Sequence, residues 1–244
     1  MKQRLPFLRP LGRARRRITR RVRRSRRAVT RALAKGLPQE TIERRFRRIY
    51  RMNLWRGSDS RSGPGSSLEE TAVVRGELPR ILASVGARSL LDIPCGDFFW
   101  MREVPLDLDR YIGADLVSGL VEDNNRLYGN EVRRFVRLDI RTDPLPKVDV
   151  VLCRDCLDHL AFTDIRASLD NVARSGAQYL LATTYPDRTN EDIRTGDWRP
   201  LNLQAAPVGL PSPIELINER SRKPGYPDKS LGLWRVSDIT PEPG

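Results

Sequence analysis

A chain of 244 residues has room for one α/β domain and an appendage but not for two large domains, since single domains commonly span ~100–250 residues. Three cysteines, Cys95, Cys153 and Cys156, are too few for a disulfide framework, the basic N-terminus lacks the apolar stretch of an export signal, and no segment reads as a membrane span, so a cytoplasmic setting is expected. The net charge of +13 suggests a polyanion binder until it is divided along the chain: residues 1–51 hold 20 Lys/Arg against Glu40 and Glu43, and the remainder is acidic, at −5.

That Arg-rich arm is expected to be disordered, although Ile18, Val22, Val29 and Leu33 recur at helical spacing and suit a narrow amphipathic helix against nucleic acid or an anionic membrane surface. A targeting sequence and an upstream start are further readings of the same residues. The folded domain is expected over 52–244. Gly, Pro and Ser punctuate 62–67, and Ser67 with Glu70 has the spacing of a capping box opening a helix whose apolar face is Val73, Leu78, Ile81 and Leu82 and which ends near Gly86.

Short β-like runs follow at 89–93, 111–115, 134–138, 148–153 and 179–184, separated mostly by segments long enough for a crossover helix. The alternation predicts a doubly wound, mostly parallel Rossmann-like sheet, which binds ligands outside the carboxyl ends of its strands. A polar, Pro-rich segment at about 187–229 reads as a lid or substrate loop, and 231–236 as a last strand.

The first run ends in Asp92-Ile93-Pro94-Cys95-Gly96-Asp97-Phe98, an acid at a strand tip followed by a turn with a single glycine. A pyrophosphate needs a glycine-rich turn at a helix N-terminus. Asp97 brings a carboxylate there instead, which disfavours phosphate and suits a ligand carrying an ammonium and a sulfonium. Asp115, ~20 residues beyond the loop, is placed to accept from both ribose hydroxyls. Asp139 with Ile140 offers an acceptor and an apolar surface to an adenine ring.

Taken together, Asp92–Gly96, Ile112–Asp115, Leu138–Ile140 and Asp149–Cys153 resemble successive motifs of the class I S-adenosylmethionine-dependent methyltransferases; the wording Pro94-Cys95-Gly96-Asp97-Phe98 and the upstream Ser62-Gly63-Pro64-Gly65-Ser66 resemble a small bacterial subgroup of them. The resemblance implies a seven-stranded sheet and methyl transfer from S-adenosylmethionine to an acceptor. It implies Asp92, Pro94, Cys95, Gly96 and Asp97 near the methionine moiety, Asp115 on the ribose, Asp139 and Ile140 at the adenine, and Cys153 at the fourth strand's end. Pro94 and Phe98 stand where the family often has glycines.

Beyond the fourth strand lie Arg154, Asp155, Cys156, Asp158 and His159, the only histidine. His159 is the candidate general base, with Arg154 and Asp155 beside it and Asp155 or Asp158 orienting the ring. Cys153-x-x-Cys156-x-x-His159 has ligand-like spacing, but without a paired Cys/His cluster no metal is expected. In the polar segment Trp198 is a candidate stacking surface, Arg199 a clamp for an anionic group, and Asn202 with Asn190 and Asp192 further polar lining. The acidic body favours a small-molecule acceptor over a polymeric one. Two rivals remain: a nucleic-acid-binding protein on a degenerate methyltransferase-like domain, and a nicotinamide-dependent oxidoreductase.

Overall fold

Seven strands form one sheet in the order β3-β2-β1-β4-β5-β7-β6 in the computed structural model, which describes residues 40–239. They are β1 (Ser89–Asp92), β2 (Arg110–Asp115), β3 (Arg133–Arg137), β4 (Val150–Cys153), β5 (Tyr179–Thr184), β6 (Glu215–Asn218) and β7 (Ser230–Arg235), with helices α1 (Ile42–Arg51), α2 (Ala72–Ser84), α3 (Ser118–Tyr128) and α4 (Phe162–Arg174). β1 to β5 pair in parallel, and β7 runs antiparallel between β5 and β6. Strand order reverses between β1 and β4, so the crevice at their carboxyl ends is the site the topology offers a ligand.

The two faces of the sheet follow from period-two alternation in its buried strands. Leu91, Ile112, Val151 and Leu180 join a core with Ile165, Leu169 and Val172 of α4, while their neighbours Leu90, Tyr111, Val150 and Leu181 join a second core with Val74, Leu78, Ile81 and Leu82 of α2. Two crossovers carry no α-helix. Between β1 and β2 only a 3-10 turn forms, at Met101–Glu103, and the β3–β4 connection is irregular, since Pro144 and Pro146 remove main-chain donors and restrict the residues before them.

The compact unit begins at Thr41, ahead of the boundary expected near Met52. Thr41 caps α1 by accepting from the Arg44 amide at 3.3 Å, Phe46 packs against the α4-side core, Ile49 is buried, and Arg45 pairs with Asp197 at 2.6 Å. The arginines of α1 hid these contacts within the charge of the arm. The helical spacing at Ile18–Leu33 lies outside the described residues. α2 opens at Ala72, not at the expected capping box: the Ser67 hydroxyl does accept from the Glu70 amide at 3.2 Å, but the Glu70 carboxylate bonds Ser221 and Arg222. No helix among the described residues is long and apolar enough to cross a membrane.

Candidate functional site

The carboxyl ends of β1, β2 and β4 and the segment after β3 open on a cavity of about 680 Å³, within the ~300–1,000 Å³ usual for small-molecule sites. The turn after β1 is laced to the sheet: the Ile93 amide donates to Leu152 O at 2.9 Å and the Cys95 amide to Ala114 O at 2.8 Å. Gly96 has φ +54°, and a Cβ there would lie 2.3 Å from Ser62 Oγ, so the position needs glycine both for its backbone and for the approach of the 60–63 segment. Asn124 Nδ2 donates to Gly96 O at 2.8 Å, fixing the turn from α3.

Two acids anchor this half. The Tyr111 hydroxyl donates to Asp92 Oδ2 at 2.5 Å, and Asp115 accepts from the Gly96 amide at 3.2 Å and the Val117 amide at 3.0 Å. Burial pushes Asp92 up to about 7, against the pull of Tyr111 and Arg154 and with a further push from Asp115. Burial likewise raises Asp115 to about 6, against its amide hydrogen bonds. Both carboxylates line the cavity, together with Pro94, Cys95, Gly96, Asp97, Asp139 and Ile140.

Several expected roles change. Asp97 turns its carboxylate to Ser60 Oγ at 2.8 Å, the Arg61 amide at 3.0 Å and Ser62 Oγ at 3.2 Å, so it ties down the segment above the turn. Asp139 is held bidentately by Arg141, through Nε at 2.9 Å and the terminal nitrogen at 2.6 Å. Cys153 does not line the cavity: alternation along β4 turns it into the α4-side core. Phe98, at the awkward non-glycine position with φ +57°, is buried against Tyr111, Tyr128 and Phe135 and stays out of the cavity.

The other half of the cavity is walled by Phe46 and Tyr50 of α1, Trp55, the 62–66 segment, Trp100, Asp158, His159, Tyr185, Trp198 and Lys223. Arg154, Asp155 and Lys229, which also line the cavity, form a charge cluster with the buried Glu219. Arg154 forks onto Glu219 at 3.2 and 2.6 Å and pairs with Asp155 at 3.0 Å, while Lys229 reaches Asp155 at 2.8 Å and Glu219 at 3.3 Å. Burial raises Asp155, but Arg154 and Lys229 outweigh it and hold it at about 2. Arg154 and Asp155 are therefore saturated by each other and by Glu219 and Lys229. Asp155, one of the two acids expected to orient His159, does not hold its ring.

His159 is held instead by the Asp197 carbonyl, 2.9 Å from Nδ1. A carbonyl only accepts, so Nδ1 carries the hydrogen and the neutral ring keeps its lone pair on Nε2. Trp55 packs on the imidazole with ring centres 5.3 Å apart. Next to it Asp158 is 2% exposed; Oδ2 accepts from Trp198 Nε1 at 2.7 Å, and Oδ1 has no hydrogen-bond partner among the described residues. Burial raises the Asp158 pKa, with His159, Lys229 and the Trp198 bond opposing.

Of the three residues expected to hold an acceptor, only Trp198 reaches the cavity. Arg199 is buried and donates to the carbonyls of Leu157, Leu160 and Glu191, clamping protein backbone and no ligand. Asn202 donates to Pro186 O and Arg188 O, and Asn190 to the carbonyls of Asn202, Ala205 and Ala206. A long loop without regular structure must satisfy its buried backbone somehow, and these amides do so. Tyr185, at the carboxyl end of β5, was missed although the strand-end rule pointed to it. Trp55 and Lys229 carried no motif. Among the described residues no three His, Cys, Asp or Glu side chains converge as metal ligands.

No protein-family model matches the chain, and no curated protein matches it in sequence. Solved structures do. Human N-acetylserotonin methyltransferase, in complex with SAM, is similar at 14% identity over 82% of this chain and 60% of that one, with a TM-score of 0.56. The N-methyltransferase NodS from Bradyrhizobium japonicum WM9 is similar at 15% identity over 68% of this chain and 96% of that one, with a TM-score of 0.52. The pyocyanin biosynthetic protein PhzM is similar at 14% over 69% and 56%, with a TM-score of 0.53. The chain thus spans little more than half the length of the human protein and of PhzM, and likeness at this identity speaks for the fold. That fold is the Rossmann-like, seven-stranded, mostly parallel sheet of the class I methyltransferases.

Proposed function

We propose that this chain is an S-adenosylmethionine-dependent methyltransferase acting on a small-molecule acceptor. The observation that carries the reading is the pair Asp92 and Asp115: two buried carboxylates on adjacent strand tips at the switch point, both raised by burial and both lining one cavity. A desolvated carboxylate is relieved by a ligand that brings positive charge or hydroxyl donors. The donor set fits S-adenosylmethionine on that ground. Asp92 would face its cationic methionine end, Asp115 its ribose hydroxyls and Ile140 its base. Bound there, it supplies an electrophilic methyl group.

A nicotinamide dinucleotide fits less well, because the turn offers Asp97 and buried acids where a pyrophosphate needs donors. Of the two departures behind a degenerate domain, Phe98 packs away from the cavity and Pro94 lines it. A small acceptor is favoured because α1, Trp55 and the 221–223 segment wall the cavity.

The chain's own chemistry centres on His159. With Nδ1–H held by Asp197 O, Nε2 takes the proton released by an oxygen or nitrogen acceptor, and the imidazolium keeps its carbonyl partner. Calorimetric titration of S-adenosylhomocysteine into the full chain tests the proposal: micromolar binding, abolished in Asp115→Ala, supports it, and absence of binding to folded protein refutes it.

A further inference from the structure

Among the described residues, Asp158 is the one buried acid of the acceptor half left with an unmatched oxygen. Its neighbours in the wall, Trp55, Tyr185, Trp198 and, from α1, Phe46, are aromatic. Oδ2 is engaged by Trp198 Nε1, while Oδ1 is buried and without a partner. A buried acceptor atom left unpaired is costly, and sites built around one select ligands that supply the missing donor. Asp158 lines the cavity and its χ2 torsion is soft, so a small turn of the carboxylate, moving both oxygens together, brings Oδ1 toward a donor there at the cost of some stretch in the Trp198 bond.

The charges nearby narrow the choice of donor. Lys223 Nζ lies 3.5 Å above the Trp198 ring and 4.8 Å from the centre of Tyr226, and Lys229 also acts on Asp158, with Asp155 opposing it. An ammonium ligand would add a further cation to this group. A neutral hydroxyl supplies the hydrogen bond without the repulsion.

Resting on the methyltransferase reading for what happens next, but not for the binding itself, we propose that Asp158 is the acceptor-binding residue and that the acceptor is a planar aromatic alcohol whose O–H donates to Oδ1.

The test is a matched set of probes titrated calorimetrically into the full chain, with and without S-adenosylhomocysteine: 2-naphthol, 2-methoxynaphthalene and 2-(aminomethyl)naphthalene. The expected order is 2-naphthol at least tenfold tighter than its methyl ether, with the ammonium weaker than the naphthol. In Asp158→Asn, which presents an amide to the same space, that preference falls to within about twofold while S-adenosylhomocysteine binding is kept. Equal binding of naphthol and ether by the unaltered chain, tighter binding of the ammonium, no binding of any probe, or a preference that survives in Asp158→Asn overturns the assignment. The comparison within the unaltered chain decides even if the variant fails to fold. Naphthol preference without S-adenosylhomocysteine binding would leave Asp158 its role and refute the methyltransferase reading alone.

Discussion

Tyr111 and Asp92, on neighbouring strands, share a 2.5 Å hydrogen bond in which the phenol is, among the described residues, the one hydrogen-bonding partner of a buried carboxylate. One neutral donor does not offset the loss of water, so the acid is left poised near neutrality.

A pH dependence follows from that imbalance. The folded chain keeps the Asp92 proton up to about 7, whereas the unfolded chain loses it near the ordinary 3.8. Stability from this group is therefore complete below about pH 4, is lost as pH rises through 7, and is constant above, at about 1.4 kcal/mol per pH unit of the interval. Asp115 acts in the same direction up to about 6. Asp92→Asn, which does not titrate, should gain stability relative to the unaltered chain between pH 5 and pH 8 in urea unfolding; a difference independent of pH would show that Asp92 has an ordinary affinity for its proton.

Gly96→Ala should cost about 1–3 kcal/mol and weaken S-adenosylhomocysteine binding, because a side chain at φ +54° is strained and its Cβ strikes Ser62. Denaturant unfolding and calorimetry on the same variant measure both effects. Normal affinity alongside reduced stability would detach the 60–63 segment from the cofactor turn.

The charge cluster in the cavity wall makes a different prediction. Glu219→Gln leaves Arg154 and Lys229 to share Asp155, and breaking such a pair costs about 3–5 kcal/mol. Replacing both partners, as Arg154→Met with Glu219→Leu, should cost less than the single change, since no uncompensated charge remains. Guanidinium unfolding of the three proteins orders them.

With a methylated acceptor in hand, His159→Gln should lower kcat by ~10²–10⁴ while leaving S-adenosylhomocysteine affinity within twofold. Loss of affinity in parallel would make His159 a packing residue against Trp55.

The sheet was legible where burial imposes pattern. Strands β1, β2, β4, β5 and β7 lie within two residues of their expected bounds because both faces of a buried strand must be apolar, as at Val150–Cys153, and β3 does so although it is an edge strand with only Phe135 buried. β6 was hidden inside the polar segment. It is an edge strand of four residues with Leu216 exposed, and such a strand need not be apolar at every position. Strand-tip acids were legible because topology dictates where they sit, and Asp92 and Asp115 do line one cavity.

Partnerships across long separations were not. Arg199 and Asn202 carry the side-chain chemistry of ligand binders, yet what they hold is loop backbone, and only the folded loop reveals that. Likewise Asp155 and Asp158, from the same short run, could not be told apart as partners of His159. The difference lies in Lys229, more than seventy residues away, which with Arg154 saturates Asp155, while Asp158 keeps a free oxygen.

The most direct test of the central claim compares S-adenosylhomocysteine with NADH by thermal shift. A ligand at a hundred times its dissociation constant adds ~2.7 kcal/mol, which raises the midpoint of a chain this size by ~5–10 °C. The account predicts that rise with S-adenosylhomocysteine, none with NADH, and none with either in Asp115→Ala; a rise with NADH, or no rise with S-adenosylhomocysteine in folded protein, would contradict it.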